Sequence, residues 1–235
     1  MNKFVRPPFR YLVATMLGAA SVWAAVGTPR VTFIKSFPGS VPPYVSIAVD
    51  KAGNFEYKEA PDDDRPVTST LPPADTAKLF SLTEQLGFFK STLESGLKVA
   101  NTGKKTFRYE PESGAASEEV FNYSLEIPAQ QLLALFERIS STEQAWAYLD
   151  RTVHFDHLGV NQALSLVEAL WLNKELVSPQ QFLPLLTRIT KQESIMHLAR
   201  ERAARLKDEF EASNPADSKS DGKGTAANGP GGKNQ

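Results

Sequence analysis

Between Arg30 and Ile139, proline and glycine cut the chain into pieces that suit single strands, tight hairpins and short helices, and beyond Ser140 the cutting largely stops. That change of texture restricts the fold to a sheet-building half followed by a helical half. Arg30–Phe37 sets Val31 and Phe33 against polar neighbours, the alternation of a half-buried strand. Pro38-Gly39-Ser40-Val41-Pro42-Pro43 must be a loop, because its prolines interrupt both regular structures. Tyr44–Val49 and Phe55–Lys58 are β-rich and flank Asp50-Lys51-Ala52-Gly53, a hairpin turn with Gly53 free to take a positive φ. Asp62-Asp63-Asp64-Arg65-Pro66 follows as an exposed acidic loop.

A helix is expected to start at Leu71-Pro72-Pro73, where proline fits the first turn, and to stop at Gly87, with Phe88-Phe89 docking its end into the core. Leu97–Ala100 and Lys105–Tyr109 flank Asn101-Thr102-Gly103 and read as a second hairpin. Glu119–Ile127 alternates cleanly as a strand, and a helix begins at Pro128 with Leu132, Leu133, Leu135, Phe136 and Ile139 as its core face. Strands, helix, strands, helix in that order predict an α+β fold, an antiparallel sheet with helices on one face.

The remainder, residues 140–212, is expected to form a helical C-terminal extension to the 25–139 domain. Ser141-Thr142-Glu143 can cap a helix through Leu149, and Leu158–Leu172 carries an apolar stripe at helical spacing. Ser178-Pro179-Gln180-Gln181 matches a capping box with proline at the first helical position, while Pro184 must kink that helix or delay its start. Met196, Ala199, Ala203, Leu206 and Phe210 recur over only two heptads, which predicts a helix packed on its own domain rather than a dimerising coiled coil. Residues 213–235 hold no large apolar side chain and are expected to be a disordered tail.

The N-terminus points to export. Lys3, Arg6 and Arg10 precede the apolar Tyr11–Ala20 run, and Val22 and Ala24 put small residues before a cleavage point, so residues 1–24 read as a signal peptide. A spanning helix needs roughly 20 apolar residues, and this run extends over 16 only if it is stretched to Val26. The chain has no cysteine, which removes disulfides, thiol catalysis, thiolate metal sites and a lipid-modified N-terminal cysteine together. Losing Lys3, Arg6 and Arg10 takes 26 basic side chains to 23 against 27 acidic ones, a net charge of −4 with no footprint for nucleic acid. The expected product is a monomer in the periplasm or outside the cell, without a membrane span.

Among possible sites, His154-Phe155-Asp156-His157 is the sharpest. Two histidines three apart share a helix face, and with Asp156 they could ligate zinc, joined by Glu193 and His197, as in a divergent metal-dependent hydrolase. Helical zinc motifs space their histidines four apart with a glutamate between, and this run does not. Ser95-Gly96-Leu97-Lys98 matches the S-x-x-K of penicillin-recognising enzymes without its companion elements. Gly103-Lys104-Lys105-Thr106 has the wrong glycine spacing for a phosphate loop. Asp62-Asp63-Asp64 lacks the alternation of a calcium loop, and the Asn122-Tyr123-Ser124 sequon falls inside an expected strand.

Phe37-Pro38-Gly39, Pro42-Pro43-Tyr44, Asp50–Tyr57 and Gly87-Phe88-Phe89 together resemble a family of bacterial secreted α+β domains of unknown function, over about Arg30–Ile139. That family's cysteines in the first turn are missing here. The resemblance implies an exported domain and carries over no catalytic residue. The expectation is therefore a non-enzymatic domain that needs no cofactor and binds a protein or cell-envelope partner through its loops, with Tyr44 as the candidate contact residue.

Overall fold

A computed structural model describes residues 27–213. The expected signal peptide, and all of the expected tail except Ser213, lie outside them. Six strands form one antiparallel sheet in the order β4-β3-β2-β1-β5-β6, which confirms the α+β class. They are β1 (Arg30–Ser36), β2 (Tyr44–Asp50), β3 (Asn54–Lys58), β4 (Val67–Thr70), β5 (Lys104–Glu110) and β6 (Ser117–Phe121). Five helices follow or interleave: α1 (Pro73–Gln85), α2 (Ile127–Phe155), α3 (Val160–Leu172), α4 (Leu183–Lys191) and α5 (His197–Ala212).

The hairpin at Asp50–Gly53 forms as its chemistry requires. Asp50 Oδ1 accepts from the backbone N–H groups of Ala52 and Asn54, both at 2.9 Å. Gly53 has φ +92°, and a Cβ there would stand 2.7 Å from Thr76 Oγ1 and 3.1 Å from the Leu71 carbonyl oxygen. Turn geometry and the close approach of α1 both demand glycine. Beyond it, Val67–Thr70 adds β4 to the outer edge of β3, a four-residue strand with a single apolar side chain and hence little pattern to announce it.

The second hairpin differs from the expected one. β5 pairs with β6 across Pro111–Ala116, while Leu97–Ala100 forms no strand. β5 spends its other edge on the full seven-residue length of β1, so no edge is left for Leu97–Ala100. That stretch runs instead as an irregular strap, tied down by side chains, with Leu97 and Val99 exposed. Likewise β6 ends at Phe121 rather than Ile127. Asn122 turns toward the strap, and Pro128 lies in the first turn of α2 and sets its start.

α2 is the largest departure. At 29 residues it is about 43 Å long at 1.5 Å per residue, and it runs straight through the expected cap at Ser141-Thr142-Glu143. Its first half buries Leu132, Leu135, Phe136 and Ile139 against the sheet and α1. Its second half buries Ala145, Leu149 and Val153 in a separate core with α3, α4 and α5. Thr142 and Glu143 are buried at the changeover, where Thr142 Oγ1 accepts from the Val177 N–H at 3.1 Å. Ser178 does not cap a helix either: it sits at φ 48°, its hydroxyl donates to the Thr70 carbonyl oxygen, and Pro179–Phe182 forms a short 3-10 turn. Pro184 delays the α4 start to Leu183, and α5 packs Phe210 against Trp171 and Phe182 as its stripe predicts. Among the described residues no helix is long and apolar enough to cross a membrane.

Candidate functional site

The inward face of the sheet is apolar except at one end. Along β1 the inward positions are Val31, Phe33 and Lys35, and along β5 they are Tyr109, Phe107 and Lys105. Lys35 and Lys105 are direct cross-strand partners, so two ammonium groups enter the space between sheet and α2 side by side. The loops that close this end are Phe37–Pro43, which joins β1 to β2, and Asn101–Gly103, which leads into β5. Gly103 is required there: its φ is +97°, and a Cβ would stand 2.7 Å from Phe37 Cβ.

A cleft opens at this end in two lobes. The first, about 250 Å3, lies between Lys105, Phe121, Tyr123 and Ser124 on one side and Ala129, Gln130 and Leu133 of α2 on the other. The second, about 340 Å3, lies between Phe33, Val45 and the Ser40–Pro42 loop on one side and Ser140, Ser141 and Gln144 of α2 on the other. Lys35 and Glu137 line both lobes, and their charged atoms are 3.9 Å apart. Each lobe is at or below the lower end of small-molecule sites, and each accommodates a side chain or a fragment of comparable size.

Lys105 is 4% exposed. Its Nζ donates to Thr102 Oγ1 at 2.8 Å, the Asn122 carbonyl oxygen at 2.8 Å and the Gly103 carbonyl oxygen at 3.2 Å. All three acceptors are neutral, and no carboxylate among the described residues lies within ion-pair distance of it. Burial, and next the nearby Lys35 charge, hold its ammonium below the usual lysine range. Asn122 completes the arrangement by accepting from the Thr102 N–H at 3.0 Å and donating to the Ala100 carbonyl oxygen at 3.2 Å. The side chain of the sequon asparagine is thus committed to holding the strap.

The residues singled out from sequence are placed as follows. Tyr44 opens β2 opposite Ser36, half-buried, at the cleft end of the sheet, and it lines neither lobe. Its loop does take part, through Ser40, Val41 and Pro42, with Ser40 Oγ within 2.7 Å of the Phe37 and Pro42 carbonyl oxygens. At the same end of the sheet Asp62, Asp64 and Arg65 are exposed and Asp63 is half-buried, all outside both lobes. Ser95 lies on the irregular strap, where its Oγ accepts from the Leu97 N–H, rather than at a helix start.

His154, Asp156 and His157 are held apart. Arg188 Nη1 donates to His154 Nε2 at 2.8 Å, which leaves Nδ1 as the protonated nitrogen facing the Asp150 carbonyl oxygen. His157 Nε2 accepts from the Gln192 side-chain amide at 3.0 Å, and Asp156 Oδ1 accepts from the Gly159 N–H. Each group is committed to its own local partner at a helix junction. Among the described residues no set of three or more histidine, aspartate or glutamate side chains is placed to hold a metal ion.

One further buried group escaped sequence reading. Glu143 is fully buried at the changeover between the two cores, with Oε1 accepting from the Gln181 amide at 3.0 Å and Oε2 without a hydrogen-bond partner among the described residues. Burial pushes its carboxyl up to about 7. For the lysines there was a legible signal: Lys35 and Lys105 each fall on the apolar parity of their strands. No family model matches the chain, and no curated protein matches it.

Proposed function

We propose that this protein is an exported, non-enzymatic binding domain of the cell envelope, and that it binds through the cleft between α2 and the Lys35 end of the sheet. The observation that carries the reading is the cleft itself. It combines apolar walls with a few convergent polar groups, it is ringed by connecting loops, and its base stands on a six-stranded sheet and a 29-residue helix. The export signal read at residues 1–24 supplies the compartment. No observation favours the hydrolase alternative at His154, Asp156 and His157, whose polar atoms are taken up by Arg188, Gln192 and the turn at Gly159.

A pull-down from envelope extract tests this function. The wild-type chain is expected to retain a specific partner that the Gln130→Trp variant loses, because a large side chain at that exposed position of the cleft occupies the first lobe. Equal retention by both proteins would move binding away from the cleft, and no retained partner would count against the binding reading.

A further inference from the structure

Lys35 and Lys105 stand opposite each other on the face of the sheet that α2 covers. Directly opposed strand residues bring their Cβ atoms within about 5 Å, and like charges there are destabilising. The same parity on both strands otherwise carries Val31, Phe33, Phe107 and Tyr109, so packing alone does not account for two ammonium groups. Their compensation is thin. Glu137 reaches Lys35 only at 3.9 Å, and Lys105 has neutral partners alone. Glu137 and Glu94 also act on Lys105 from a distance, but both carboxylates are exposed to screening solvent, and that of Glu94 is engaged by the Asn122 N–H.

The cleft around the pair therefore carries an excess of one positive charge, two ammonium groups against the Glu137 carboxylate. The first turn of α2, through Ala129, borders the same lobe. Phe121, Tyr123 and Leu133 give that lobe an apolar side, next to the polar Thr102, Asn122, Ser124 and Gln130. We propose that this lobe binds a carboxylate carried on an apolar body, the carboxylate at Lys35 above Lys105 and the body between Phe121 and Leu133. A single negative charge balances the site, whereas a phosphate ester brings roughly two. The inference rests on the binding-domain reading and names the ligand chemistry of its site. A free fatty acid and the C-terminal residue of a peptide share that chemistry.

Calorimetric titration of the full chain separates these sources. The probes are octanoate and a hexapeptide ending in leucine, each run beside its neutral amide. At least one acid is expected to bind at millimolar concentration or below while its amide does not, and the probe that binds identifies the source. Lys35→Met should weaken that binding roughly tenfold or more, the loss of a charged hydrogen bond, and Lys35→Arg should largely restore it. Lys35 is one-third exposed, makes only the loose Glu137 contact and is repelled by Lys105, so Lys35→Met should unfold at or above the wild-type temperature, which separates lost binding from lost folding. Equal binding of acid and amide, unchanged binding by Lys35→Met, or no binding of either acid would overturn the inference. A partner still retained in the pull-down alongside any of these results would leave the binding reading standing without its carboxylate.

Discussion

Glu143 concentrates the energetics of the molecule in one side chain. A carboxyl with no cation opposite it, one oxygen on Gln181 and the other without a protein partner, is comfortable only when neutral. The folded state therefore holds a proton that the unfolded chain releases, with pKa values of about 7 folded and 4.5 unfolded. Stability should be greatest below the unfolded value, fall as pH rises from there through the folded value, and level off above it. At the plateau the cost is about 3 kcal/mol. Glu143→Gln, which keeps the contact to Gln181 and cannot ionise, should flatten this profile and stabilise the protein at pH 8. Denaturant unfolding at several pH values checks this, and a profile unchanged by the substitution would show that Glu143 stays neutral or finds a partner. In the sequence Glu143 reads as the third residue of a helix cap, an exposed role. Its burial depends on Val177 and Gln181 arriving from more than 30 residues away, which local pattern does not encode.

The elements divide by how local their causes are. The Asp50–Gly53 hairpin, the Gly87 stop and the stripe of α5 are legible because their determinants lie within a few residues. The Glu201-Arg205-Glu209 spacing invites pairing along α5, yet Arg205 reaches Glu168 on α3, and Glu209 accepts from Trp171 Nε1 at 2.7 Å. The strap before β5 was decided by competition for the two edges of β5, which β1 and β6 fill and which no single segment displays. α2 is the same lesson at greater length: a good cap sequence is overridden when apolar residues on both sides of it find cores to enter. If that continuity couples the two cores, breaking it must uncouple them. Ser141 is exposed at the changeover, so Ser141→Pro removes a helical hydrogen bond and clashes with the preceding turn without touching either core. It should cost about 3 kcal/mol and split a single unfolding transition into two. A single transition merely shifted in midpoint would mean that the cores are joined by more than α2.

At the scale of the whole molecule, the helical C-terminal half behaves as a second core rather than an appendage. Deleting Pro179–Ala212 would strip the cover from Leu149, Val153, Val160 and Leu164, all of them fully buried. Such a chain is expected to aggregate or self-associate on size-exclusion chromatography, and a folded monomer would refute the two-core description. Composition and periodicity alone established the α+β class, the order of most elements and the helical character of everything past Ser140, because these follow from turn residues and apolar spacing read over a dozen positions. They also placed the loops that ring the cleft. Only the tertiary structure decided that Lys35 faces Lys105, that Glu137 is the one carboxylate between the lobes, and that Glu143 is buried. Those facts depend on strand register and on which half of α2 meets which core, and register is settled by long-range competition for edges and faces that no local window of sequence contains.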